Sequence, residues 1–178
     1  MSPAESPSAE SSPATAAAPP VTAVFGAGAV GCYFGARLAE AGVPVTLIGR
    51  PAHVAAIKAE GLAFESGGAT RRVPIRATSD AAEGLAGAQF VMFCVKTLDT
   101  ESAARQIAPL LAPGATVLSM QNGVDNAERM RSAAAVDAMA AVVYVGASMP
   151  GPGHQRHAGR GDRVIGEVGP PLAPRPGR

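Results

Sequence analysis

VTAVFGAGAVGCYFGARLAEAG, residues 21–42, opens with a short apolar run, passes through closely spaced glycines, and continues with helical spacing. Residues 21–25 are typical of a strand buried on both faces of a parallel sheet. A helix is predicted over residues 29–41, capped by Gly42. Its inner face is expected to consist of apolar residues at helical intervals: Val30, Phe34, Leu38 and Ala41.

The rest of the chain repeats this alternation of strand, loop and helix. Strands are predicted near residues 43–48, 90–95, 116–120 and 140–145, with a hairpin around residues 66–68. Helices are predicted at residues 51–60 and 80–86, and after the capping residues Asp99 and Asp125. After Pro150 we expect a strand at residues 163–166 alone. This order predicts a Rossmann-type α/β fold, with a doubly wound and mostly parallel sheet.

Composition limits the classes of protein to consider. The 178 residues have room for one ordinary domain, and 47% of them are hydrophobic. A net charge of +1 gives no sign of a nucleic-acid surface, and no apolar run is long enough for a membrane span. Cys32 and Cys94 lack metal-type spacing, so we expect reduced, buried thiols in a cytoplasmic protein.

The two ends differ in composition from the middle. Residues 1–20 are rich in serine, proline and alanine, lack the features of a secretory signal, and predict a disordered tail. Residues 21–167 carry the predicted domain, and residues 168–178 predict an unstructured end rich in proline and arginine. Of the histidines, His154 and His157 are expected in a loop or strand rather than at a metal, and His53 in solvent.

The glycines after the first strand match G-x-G-x-x-G in the context that makes this motif specific, between a strand and a helix. Gly26 would permit the tight turn, Gly28 the approach of a diphosphate, and Gly31 close packing of the helix. Free N–H groups at the helix N-terminus favour an anion there. A purely structural turn is the alternative. The predicted dinucleotide contacts are Gly26, Ala27, Gly28, Ala29, Val30 and Gly31.

Arg50 lies nineteen residues after Gly31, where an acidic residue would bind the ribose of NAD. Residues 43–50 contain no Asp or Glu. A guanidinium suits the 2′-phosphate of NADP, which it can bind in bidentate fashion. A solvated surface arginine is the alternative.

Lys96 and Asn122 each follow a predicted strand, at the carboxyl edge where open α/β sheets bind ligands. The lysine is a candidate to meet a carboxylate or the cofactor, and the asparagine could bond a hydroxyl group. The alternatives are an exposed strand-end lysine and a turn residue that tolerates unusual backbone angles.

Four segments together, GAGAVGCYFGARLAEAG, VTLIGR, VMFCVKTLDT and VLSMQNGVDN, resemble the N-terminal domain of ketopantoate reductase (2-dehydropantoate 2-reductase). HAGRGDRVIGE resembles that family's last strand region. The resemblance implies NADPH-dependent reduction of 2-dehydropantoate to pantoate, in pantothenate biosynthesis. It implies that the glycine motif holds the diphosphate and Arg50 the 2′-phosphate. It places Lys96, Asn122 and Ala147 near the cofactor, with Asn122 also near the substrate.

The family has a second, helical domain, which supplies a general-acid lysine and substrate-binding residues. Residues 168–178 contain no lysine or asparagine. We therefore expect a chain truncated to the cofactor domain, with no assigned catalytic residue. Its partner would be a small 2-keto acid, without nucleic acid, metal or membrane, and the oligomeric state is left open. The alternatives are a stand-alone NADP-binding module and an inactive fragment.

Overall fold

The computed structural model describes the backbone of residues 18–123 and 125–166 and the side chains up to residue 159. Most of the predicted tail, and all of the predicted end at 168–178, lie outside these residues. Within them no helix combines the length and the apolar character needed to span a bilayer.

The described residues form nine strands and five α-helices. The strands are β1 Thr22–Phe25, β2 Val45–Ile48, β3 Leu62–Ser66, β4 Ala69–Val73, β5 Arg76–Thr78, β6 Phe90–Phe93, β7 Thr116–Ser119, β8 Ala138–Gly151 and β9 His154–Gly166. The helices are α1 Ala29–Glu40, α2 Pro51–Glu60, α3 Ala81–Leu85, α4 Thr100–Ile107 and α5 Asn126–Ala134. Short 3₁₀ turns cover Thr97–Asp99 and Ala108–Leu110.

All nine strands belong to one sheet, in the order β4-β3-β9-β8-β7-β6-β1-β2-β5. Six of the eight strand pairs are parallel, and only β3–β4 and β8–β9 are antiparallel among the described residues. Helices α1 and α2 pack on one face, and α3, α4 and α5 on the other. The predicted doubly wound, mostly parallel Rossmann-type α/β fold is confirmed, and the carboxyl ends of β1, β2, β6 and β7 share one edge.

Helix α1 is buried far more widely than the predicted stripe. Six consecutive residues, Gly31 to Ala36, are buried, whereas Ala41 is exposed. The cause is the far half of the sheet, since α1 also contacts β3, β4, β8 and β9. The prediction that Ala41 belongs to the inner face is wrong, because α1 ends at Glu40 and Ala41 is its exposed C-cap.

Strands β8 and β9 form a long hairpin whose second strand was predicted only at residues 163–166. β9 pairs with β8 along one side and with β3 along the other. The hairpin tip reaches α2, where the backbone N–H of Gly153 donates to His53 Nδ1 at 3.3 Å. The expectation of a solvated His53 is therefore wrong, because its ring contacts the tip.

The two predicted helix caps at Asp99 and Asp125 do not form, whereas Asp80 caps α3. Asp80 has an extended backbone, and its carboxylate accepts from the N–H groups of Ala82 and Glu83 at 2.8 and 3.2 Å. Asp99 and Asp125 occupy N-cap positions without a side-chain bond. Their ψ angles of 2° and −9° are the reason, since a capping side chain needs an extended backbone to reach the next N–H groups.

Candidate functional site

The glycine turn is fixed by backbone bonds between neighbouring strands. The N–H groups of Gly26 and Ala27 both donate to the carbonyl of Ile48, at 3.0 and 2.9 Å. Gly26 has φ +109°, and a Cβ there would lie 2.7 Å from the carbonyl carbon of Cys94. The first position of the motif therefore requires glycine for both conformation and space.

Gly28 precedes α1 as its N-cap, and a Cβ at this position would meet no atom within 4 Å. The N–H of Cys32 is the first in the helix to bond within it, to the Gly28 carbonyl at 2.8 Å. The N–H groups before Cys32 are therefore left without intrahelical acceptors. Open space beside unpaired N–H groups at a helix N-terminus suits an anionic group.

A cleft of about 660 Å³ lies at the carboxyl edge of β1, β2 and β6. It is lined by the turn at Gly26–Gly28, by Arg50 and by Lys96, so three separated parts of the predicted site meet there. Arg50 is exposed at the N-cap of α2, and Lys96 is exposed three residues after the end of β6. Among the described residues neither cation has an ion-pair partner, and both remain available to an anionic ligand.

The other predicted contacts lie outside the lining of this cleft. Ala29, Val30 and Gly31 form the first turn of α1, directly after Gly28 of the lining. Asn122 is exposed after β7, and its backbone carbonyl accepts from Asn126 Nδ2 at 2.8 Å. Ala147 is half-buried in β8 and pairs with His157 of β9. Asn122 shares the sheet edge with Lys96, because β7 is the neighbour of β6.

Sequence reasoning missed Ser79 and Asp99 as lining residues of the cleft. Ser79 follows β5, whose Thr78 pairs with Ile48, so it stands beside the segment that carries Arg50. β5 has three residues at the edge of the sheet, and a run that short carries no periodic signal. Asp99 was assigned to capping, and its exposed carboxylate brings a negative charge to the cleft.

The two cysteines are free thiols on the same side of the sheet. Burial raises the pKa of Cys32 to about 12. Burial also raises the pKa of Cys94, and the neighbouring Cys32 adds to this rise. Both are protonated at neutral pH, which makes them poor nucleophiles. Across the residues that the structure describes, no cluster of His, Cys, Asp and Glu could hold a metal ion.

A family model described as ketopantoate reductase PanE/ApbA matches residues 22–170. The chain belongs to the ketopantoate reductase family. The match spans most of the chain and includes the glycine turn, Arg50, Lys96 and Asn122. It confirms the resemblance drawn from the sequence segments.

Curated relatives and a solved structure agree with this assignment. The 2-dehydropantoate 2-reductase of Mesorhizobium japonicum is 41% identical over 102 residues, covering 57% of this chain and 31% of the relative. The 2-dehydropantoate 2-reductase of Halobacterium salinarum is 34% identical over 145 residues, covering 80% of this chain and 48% of the relative. A crystal structure of a PanE/ApbA family ketopantoate reductase from Ralstonia eutropha JMP134 superposes with a TM-score of 0.77 at 53% identity. The superposition covers 81% of this chain and 48% of that protein. The chain thus spans about a third to a half of the length of these proteins.

Proposed function

We propose that this chain provides the NADPH-binding half of a 2-dehydropantoate 2-reductase, which reduces a 2-keto acid to a 2-hydroxy acid. The observation that carries the proposal is the convergence of the glycine turn, Arg50 and Lys96 on one cleft. A helix N-terminus and two cations at one sheet edge match the charges of a phosphorylated dinucleotide. Membership of the ketopantoate reductase family then favours 2-dehydropantoate as the substrate.

Arg50 is the basis for proposing NADPH rather than NADH. It follows β2 at the position where an acidic residue would otherwise bind a ribose hydroxyl. Its guanidinium lines the cleft, and α2 begins directly after it. A 2′-phosphate at this point would receive two guanidinium hydrogen bonds and face a second helix N-terminus.

The remaining assignments follow the sheet edge. NADPH, when bound, supplies the hydride for the ketone carbon. The glycine turn and the first turn of α1 would hold its diphosphate, while Lys96, Asn122 and Ala147 would contact the ribose and nicotinamide end. Asn122 would also contact the keto acid. We propose that the general acid comes from the further part present in the longer relatives, since the resemblance assigns Lys96 to binding. Two free thiols favour a cytoplasmic setting.

A cofactor-binding module without turnover is the second candidate. It is favoured by the lining of the cleft, which among the described residues contains no histidine and no lysine besides Lys96 to serve as a general acid. A positioned acid contributes about 10² to 10⁴ in rate. Measurable turnover of 2-dehydropantoate by this chain alone would decide against the module, and cofactor binding without turnover would favour it.

Titration of the purified chain with NADPH and with NADH tests the proposal. We expect tighter binding of NADPH, and an Arg50→Asp variant should bind NADPH about tenfold or more weakly with little change for NADH. Arg76→Asp is the matched control, because Arg76 is an exposed arginine of β5 outside the cleft lining and the charge change is identical. Equal affinity of the unmodified chain for both cofactors would contradict the assignment of Arg50.

A further inference from the structure

A buried amide lies between the two loops that carry Lys96 and Asn122. Gln121 follows β7, and only 5% of its surface is exposed. Its Nε2 donates to the carbonyl of Val95 at 3.1 Å and to Thr100 Oγ1 at 2.8 Å. Its Oε1 accepts from Ser119 Oγ at 3.1 Å. Both amide hydrogens and the amide oxygen are therefore engaged.

Thr100 extends this network to the other side of Lys96. It is fully buried at the start of α4, and its hydroxyl donates to the carbonyl of Thr97 at 2.8 Å. The carbonyl of Lys96 itself accepts from the N–H of Asp99 at 2.9 Å. Three consecutive carbonyls, those of residues 95, 96 and 97, are thus each held by a named donor.

Asn126 connects the network to the second loop. It is 2% exposed at the start of α5, and its Nδ2 donates to the carbonyl of Asn122 at 2.8 Å. Its Oδ1 lies 3.3 Å from Thr100 Oγ1. The single hydroxyl hydrogen of Thr100 is shared between the Thr97 carbonyl and Asn126 Oδ1. Gln121 and Thr100 thus hold the backbone around Lys96, and Asn126, packed against Thr100, holds the backbone of Asn122.

The side chains that this network carries have no partner of their own. Neither the Lys96 ammonium nor the Asn122 side-chain amide is hydrogen-bonded within the described part of the chain. Fixed backbones with unengaged polar ends are what a preorganised binding site requires.

We propose that Gln121 is a positioning residue, which with Thr100 sets the separation of Lys96 and Asn122 so that both reach one bound cofactor. The inference rests on the proposed function. A buried polar network costs stability unless all its members are satisfied, and apolar residues would fill the same space. Its value therefore lies in the geometry that it imposes on the two loops.

Two probes separate positioning from general stability: NADPH, and adenosine 2′,5′-bisphosphate, which lacks the nicotinamide ribose. Gln121→Leu should weaken NADPH binding about fivefold to tenfold, the equivalent of one hydrogen bond. Binding of the bisphosphate through Arg50 should stay unchanged. Gln155→Leu is the matched control, because Gln155 is fully buried, without a side-chain partner in the described residues, and far along the chain in β9. It should bind both probes as the unmodified chain does.

If Gln121→Leu does not fold, the variants Thr100→Val and Thr100→Ser test the same positioning role. Thr100→Val removes the hydroxyl while keeping the shape, and should weaken the binding of NADPH but not of the bisphosphate. Thr100→Ser keeps the hydroxyl and should bind NADPH as the unmodified chain does. If a variant binds both probes equally more weakly, or binds both as well as the unmodified chain does, the positioning role is overturned while the proposed function stays intact. An unmodified chain that binds neither probe would overturn the proposed function, and this inference with it.

Discussion

The carbonyl oxygen of Gly26 lies so close to the α-carbon of Gly31 that a Cβ added to Gly31 would be 2.2 Å from it. The turn cannot move aside, because the N–H of Gly26 is bonded to β2 at Ile48. Gly31→Ala should therefore lower the free energy of unfolding by about 1–3 kcal/mol, as other overpacked positions do. Urea unfolding of the purified variant measures this loss.

Gly28→Ala separates the stability of the turn from binding. Gly28 has φ −92°, and its Cβ would meet open space, so the free energy of unfolding should fall by no more than about 1 kcal/mol, the difference between glycine and alanine at an N-cap. The new methyl group would occupy the open space beside Gly28 that is proposed for the diphosphate, and NADPH should bind about tenfold or more weakly. A Gly28→Ala variant that keeps full NADPH affinity would contradict the proposed place of the diphosphate.

Asp99→Asn should strengthen NADPH binding, because it removes a negative charge from a cleft proposed to hold phosphates. The expected gain is about twofold to fivefold at low salt, and it should shrink at 0.5 M salt because exposed charges are screened. Asp125→Asn is the control, since Asp125 is also an exposed helix N-cap without a side-chain bond, but lies outside the cleft lining. Titrations at two ionic strengths test this, and an equal gain for both variants would refute the local effect.

The Glu101–Arg129 pair should shape the acid stability of the chain. Arg129 Nε and its terminal nitrogen donate to the Glu101 carboxylate at 2.7 and 2.8 Å, and these bonds lower the pKa of Glu101. A carboxyl group with a lowered folded-state pKa stabilises the fold above its unfolded pKa of about 4.3. That contribution is lost as the pH falls through the folded-state value.

Glu101→Gln should therefore be less stable than the unmodified chain at pH 7, with the difference closing as the pH falls below about 4. Urea unfolding at a series of pH values measures both curves. Glu128→Gln is the control, because Glu128 makes no side-chain hydrogen bond within the described residues. A difference between Glu101→Gln and the unmodified chain that persists undiminished at low pH would show that the ion pair is not its source.

Cys32 should resist thiol reagents in the folded chain. With a pKa raised to about 12 by burial, it is almost entirely protonated at pH 8, whereas an exposed cysteine has a substantial thiolate fraction there. Labelling with a maleimide at pH 8 should be about a hundredfold slower in buffer than in urea. Rapid labelling of Cys32 in the folded chain would contradict its burial.

The first half of the fold follows from the sequence because its signals are local. The run before Gly26, the glycine spacing and the position of Pro51 at the start of α2 each act over a few residues. The cleft contacts at Gly26, Arg50 and Lys96 were predictable for the same reason, since each follows an apolar strand. Pro109 likewise ends α4 in a 3₁₀ turn, as proline in a helix should.

The parts that sequence reasoning missed depend on distant partners. The first half of β9 contains glycine, histidine and arginine, and it is a strand because β8 and β3 pair with it on either side. The sequence around Gln121 indicates only a loop residue, because its hydrogen-bond acceptor Thr100 lies twenty-one positions earlier in the chain. Burial of both faces of α1 depends in the same way on strands more than twenty residues away along the chain.

The enclosure of α1 has a consequence for synthesis on the ribosome. All the residues that line the cleft precede Ile107, yet Tyr33 and Phe34 of α1 pack in a core that includes Ala141 and Val143 of β8. A nascent chain that had emerged only as far as α4 would contain every cleft residue, but the surface of α1 that later packs against β8 would still be exposed to solvent. The residues of the proposed binding site are therefore translated before the strands that complete its supporting core, and nascent chains stalled before residue 138 should not bind NADPH although their cleft sequence is complete.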